Sequence, residues 1–167
     1  IGGNGRLVAI PGRLEDRWIV RLWNLEAGTQ RELDLADLVS ANDFLLHIAF
    51  TSDGRLLMTG TGGEASFGGT GHTLFEIDPV TGSRTPVAAG VGEFIIGRSD
   101  GLVVSRRRPD GIASVATAHD LDAGTATPLP SHGSLVTSFA IDSSGSIVVT
   151  GGQDEIVRVG PISGEPP

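Results

Sequence analysis

Short apolar runs, each broken by a small polar turn that ends in glycine, recur along this chain. One copy runs Leu46-His47-Ile48-Ala49-Phe50, turns at Thr51-Ser52-Asp53-Gly54 and resumes as Arg55-Leu56-Leu57-Met58. A second pairs Phe94-Ile95-Ile96 with Leu102-Val103-Val104 around Ser99-Asp100-Gly101. A third pairs residues 136–141 with Ile147-Val148-Val149-Thr150 around Asp142-Ser143-Ser144-Gly145. The closing glycines fall at 54, 101 and 145, a spacing in the forties. A second anchor keeps step with the first. Here Ile19-Val20-Arg21-Leu22-Trp23-Asn24 leads to Gly28, Leu74-Phe75-Glu76-Ile77-Asp78 to Gly82, residues 115–120 to Gly124, and residues 156–160 to Gly164. Runs this short, punctuated by residues that tolerate positive φ, predict β-strands joined by tight turns. Unbroken runs such as Leu102-Val103-Val104 predict strands buried on both faces; burial on one face would give strict alternation.

The segments Ile19-Val20-Arg21-Leu22-Trp23-Asn24 and Thr51-Ser52-Asp53-Gly54-Arg55-Leu56-Leu57 resemble the WD40 repeat family, as does the stretch from His132-Gly133 through Asp154 to Val159. The resemblance extends over nearly the whole chain, most clearly over residues 1–35 and 131–165. It implies four-stranded blades set radially about a channel. With the strands of a blade lettered a to d from the channel outward, residues 1–36 supply b, c and d. Residues 44–90 and 91–130 supply all four, and residues 131–167 supply a, b and c. The expected fold is all-β, a partial β-propeller of about four WD40-like blades, two of them complete. Two whole and two partial blades do not obviously close a ring, and the chain opens on Ile1 with its single methionine at 58. The expectation is a piece of a larger propeller.

The resemblance also implies a stabilising polar tetrad: a His before strand a, a Ser or Thr on b, an Asp in the b–c turn and a Trp on c. The last blade offers His132, Thr150 and Asp154, with Gly160 where Trp is expected. Trp23 holds that place in the first blade, and Ile77 and His119 hold it in the second and third. No blade has all four, so the repeats are degenerate.

Composition and charge narrow the functional classes. The 25 glycines show no three-residue period, which excludes collagen. A net charge of −8 argues against a general affinity for nucleic acid or anionic membranes. No apolar stretch is long enough for a transmembrane helix, and no secretory pattern opens the chain, so a cytoplasmic location is expected. The absence of cysteine removes disulfides and thiolate metal sites.

Candidate chemistry is sparse. The Gly-rich stretch 60–71 lacks the Lys-Ser/Thr ending of a phosphate loop and precedes a strand, so it reads as a long b–c loop. His119, Asp120 and Asp122 are metal ligands by type only: strand alternation sends the first two to opposite faces, and a turn accounts for the rest. His47, His72, His119 and His132 form no short-range pair. His132 reads as a structural histidine bonded to a hydroxyl and a carboxylate. Arg106, Arg107 and Arg108 form the one dense basic run, at a hairpin tip; a solvated turn is the plain reading and a docking point for an acidic partner the sharper one. No catalytic, cofactor-binding or metal-binding residues are assigned.

The reading that follows is a non-catalytic scaffold for protein–protein interaction, whose rim loops engage another protein, further blades of the same propeller or a second copy. The segment 157–165 resembles WD-repeat regions of large bacterial signalling proteins, which places a sensor or scaffold region of such a protein within reach. The competing class is a propeller hydrolase, or a small-ligand or metal-binding domain, working at the channel mouth.

Overall fold

A computed structural model describes residues 6–36, 47–60, 72–96, 102–107 and 115–163. Every regular element among them is a β-strand, and neighbouring strands run antiparallel wherever their register is defined. The chain divides into two compact units, residues 1–89 and 90–167.

In the first unit, β1 (Leu7–Leu14), β2 (Arg17–Asn24) and β3 (Thr29–Asp34) form a sheet in that order. They are followed by β4 (His47–Phe50), β5 (Leu56–Gly60), β6 (His72–Ile77) and the first part of β7 (Arg84–Ile96). Leu56-Leu57-Met58-Thr59-Gly60 is buried at every position, as a strand covered on both faces must be. Val20, Leu22 and Leu33 of the first sheet, with Leu35 just beyond β3, pack with Leu56, Met58 and Ile77, and Ile48, Phe50 and Phe75 flank them. Full burial of a side chain such as Leu56 contributes about 1.5–3 kcal/mol. Polar ties join the same two sheets. Arg31 Nη1 donates to the carbonyls of Pro79, at 3.0 Å, and Val80, and Arg84 donates to the Asp34 carbonyl.

In the second unit, the rest of β7 is followed by β8 (Leu102–Arg107), β9 (Val115–Asp120) and β10 (Thr125–Pro128). A last sheet then comprises β11 (Val136–Ile141), β12 (Ile147–Gly152) and β13 (Val157–Pro161). Val104, Ala116, Ala118 and Leu129 pack with Val148, flanked by Ile95, Phe139, Ile141 and Ile162.

The sequence predicts separate strands over 85–89 and 94–98. The structure has one 13-residue strand, β7, hydrogen-bonded to β6 on one side and to β8 on the other. The reason is local: no Asx or Pro intervenes between the two runs, and a bulge between Val91 and Glu93 shifts the register of β7 against β8 without ending the strand.

Candidate functional site

Among the described residues, a dense polar cluster lies in the last sheet. His132 stands before β11, Thr150 on β12, Asp154 in the β12–β13 turn, and Arg158 on β13 directly across from Thr150. His132 Nε2 lies 2.7 Å from Thr150 Oγ1, and Nδ1 lies 2.9 Å from Asp154 Oδ1. Arg158 Nη1 donates to Asp154 Oδ2 at 2.9 Å and sits 2.7 Å from His132 Nδ1. No one placement of the ring protons serves every contact: Nδ1–H donates to Asp154 with Nε2 accepting from Thr150, or Nδ1 accepts from Arg158 with Nε2–H donating to Thr150. Partial desolvation works against the Asp154 charge, but hydrogen bonds from His132, Arg158 and the Ile156 amide prevail and lower its pKa to about 2.

Backbone shape makes room for the ring. A Cβ on Gly152 would lie 2.5 Å from His132 Nδ1 and 2.6 Å from Asp154 Oδ1, so only glycine fits beneath the imidazole. Beside the cluster, where Gly160 replaces the expected Trp, a cavity of about 50 Å³ is lined by residues including Leu129, Val148, Thr150, Arg158 and Gly160.

The preceding sheet solves the same problem differently. Ser105 on β8 and His119 on β9 are both buried, and Ser105 Oγ lies 2.7 Å from His119 Nε2. Burial lowers the His119 pKa and keeps the ring neutral.

Three hairpin turns share one device. Asn24 accepts from the amides of Glu26 and Ala27, Asp78 from those of Val80 and Thr81, and Asp120 from those of Asp122 and Ala123. Each turn closes on a glycine at positive φ: Gly28, Gly82 and Gly124. The side-chain acceptor and the left-handed glycine together lock the turn. Asp142 does similar work in the β11–β12 turn. Hydrogen bonds from the Ser144 hydroxyl and from the amides of Ile147, Ser144 and Ser146 outweigh desolvation and lower its pKa to about 2. In the first unit two openings of about 310 Å³ each lie among such turns and share Leu7 and Asn24. One reaches Arg31, Pro79 and Val80; the other reaches Glu26, Ser52, Asp53 and Gly54.

The structure thus brings His132, Thr150 and Asp154 together and adds Arg158, which the sequence reading missed. The signal was there: Arg158 lies two residues before Gly160 on one strand, hence on the same face. Trp23 belongs to the first sheet, across from Val8 and Gln30. The strand position matching Thr150 is Ile10 there, so no hydroxyl awaits the indole. Arg106 and Arg107 end β8, paired with Ala116 and Val115. Arg108 lies outside the described residues, as does nearly all of the 60–71 loop. Asp120 and Asp122 meet in a turn, and no cluster of three or more potential metal ligands occurs among the described residues.

No protein-family model and no curated protein sequence matches the chain. Solved structures do. TolB from Acinetobacter baumannii matches with a TM-score of 0.68 at 14% identity, over 98% of this chain and 40% of its own. A chain of the mitotic checkpoint complex matches at 0.63 and 20% identity, over 96% and 46%. The tricorn protease matches at 0.65 and 11% identity, over 89% and 14%. This chain spans less than half the length of each. TolB and the checkpoint chain are β-propellers, and the sheets described above are propeller blades. The fold is all-β, part of a β-propeller.

Proposed function

We propose that the blades are degenerate WD40-type repeats and that the chain is a non-catalytic interaction platform, docking a protein partner on its turn-bearing rim. The observation that carries this reading is the pair of openings around Leu7 and Asn24, walled by turns that side-chain caps hold in one conformation. A surface already ordered before binding loses less entropy on docking. Leu25 and Val80, 58% and 77% exposed, supply apolar contacts at this rim.

The competing hydrolase reading has one specific attraction. Asp154, His132 and Thr150 have the connectivity of a carboxylate–imidazole–hydroxyl triad. Against it, Thr150 is only 4% exposed, and the adjoining cavity of about 50 Å³ has room for a few water molecules but not an ester or a peptide bond with its flanks. The cluster is better suited to holding the last blade together. A sensor or scaffold role within a larger signalling protein suits this reading, since a rigid rim presents loops without chemistry of its own.

The test is site-specific photo-crosslinking in the native host, with the reactive side chain at Leu25 or Val80 and a control at Gln153. Platform function predicts the same discrete protein adduct from both rim positions and none from the control. Equal labelling at all three, or ester or peptide turnover abolished by Thr150→Val, overturns it.

A further inference from the structure

One of the two openings of about 310 Å³ is walled by Leu7, Leu22, Pro79 and Val80, and the single ionisable side chain in its lining is Arg31. Leu22 is buried and Val80 is 77% exposed, so the opening runs from the core of the first unit out to solvent. It lies where the first sheet meets the β6–β7 turn, and every wall belongs to that unit. A volume of this size is at the lower end for small-ligand pockets and suits one large apolar side chain.

Arg31 uses only part of its donor set within the chain. Its Nη1 donates to the carbonyls of Pro79, at 3.0 Å, and Val80, which holds the guanidinium against the turn. No described residue accepts a hydrogen bond from its Nε or Nη2. Asp78, whose charge Arg31 helps to stabilise, is engaged elsewhere: it accepts from the amides of Val80 and Thr81 and from the Thr81 hydroxyl. The Nε–Nη2 edge is a fork that matches a carboxylate through two parallel hydrogen bonds. A cation fixed among apolar walls selects a ligand that is apolar and anionic at once.

We propose that this opening takes the C-terminal residue of a protein partner, its apolar side chain against Leu7, Leu22 and Val80 and its α-carboxylate on the Nε–Nη2 edge of Arg31. Spacing favours a chain end over an internal acidic residue. In an extended segment the residue beside the anchor points to the opposite face, and the next on the same face is about 7 Å along. A terminal α-carboxylate sits on the same Cα as the anchoring side chain, so one residue supplies both groups to one opening. The proposal rests on the platform reading and names what docks there.

The test is titration of the purified chain with the peptide acetyl-Gly-Ser-Gly-Leu, as free acid and as C-terminal amide, read from the methyl resonances of Leu7, Leu22 and Val80. The free acid should shift these methyls and bind at least ten-fold more tightly than the amide. Arg31→Gln should abolish the difference. That change also removes the bonds to the turn, so the exposed Val80 provides a second probe. Val80→Asp should weaken free-acid binding at least three-fold more than Val80→Lys, with no such difference toward the amide. Equal binding of acid and amide, no binding of either, or equal behaviour of the two Val80 variants toward the acid overturns the proposal. If the Leu25 and Val80 photo-adducts persist when it fails, the platform reading stands; if they are absent as well, both fall.

Discussion

The third and fourth blades each bury a hydroxyl on their second strand, and each satisfies it with a histidine from a different direction. In the third, His119 reaches Ser105 from the neighbouring strand, and the pair is neutral. In the fourth, His132 comes from the segment before the first strand and ties Thr150 to Asp154 and Arg158. A buried donor or acceptor must find a partner, but the fold leaves open which residue supplies it. The two solutions differ in what depends on them. The neutral pair could be replaced as a unit, whereas the charged cluster has a hub.

The largest effect should come from breaking that hub. His132→Leu should lower unfolding free energy by about 3 kcal/mol in urea denaturation, because it strips a network of its centre. Adding Thr150→Val should recover little, since Asp154 and Arg158 still lack the ring. Next comes Gly152→Ala, whose Cβ would sit 2.5 Å from His132 Nδ1. Displacing the ring and carboxylate should cost about 2 kcal/mol. In the third blade His119→Leu should cost about 1–2 kcal/mol by stranding Ser105. The double variant His119→Leu/Ser105→Ala should return to within about 1 kcal/mol of the unaltered chain, a recovery the fourth blade should not show.

The finest distinction is in pH. His119 has its pKa lowered from 6.5 by burial, so the unfolded chain binds its proton first. Its contribution to stability is complete above pH 6.5 and is lost progressively below it. Asp142 and Asp154, lowered from 3.8 to about 2, contribute fully above pH 3.8 and lose that contribution as pH falls toward 2. A stability–pH curve should show an early decline below 6.5 and a later one below 3.8. His119→Leu should remove the first and leave the second.

Much of this was legible in the sequence because it depends on local pattern. Leu56-Leu57-Met58 announces a doubly covered strand, and Asp142-Ser143-Ser144-Gly145 announces its turn. His132, Thr150 and Asp154 were legible by residue type and family spacing. Three things were not. Arg158 enters the cluster only once strand pairing sets it opposite Thr150. His119 finds Ser105 across a pair of strands whose register no local rule fixes. The continuity of β7 depends on Gly92 serving as part of a bulge, when glycine in an apolar stretch reads equally well as a break.

Within each unit, sheets stack face to face through side chains that are distant in sequence. Methyl–methyl nuclear Overhauser contacts measure this directly. Cross-peaks are predicted linking Leu22 and Leu33 to Leu56, Met58 and Ile77, and linking Val148 to Val104, Ala118 and Leu129. If the Val148 methyls instead show contacts only within their own sheet, the blades are not stacked and the account is contradicted.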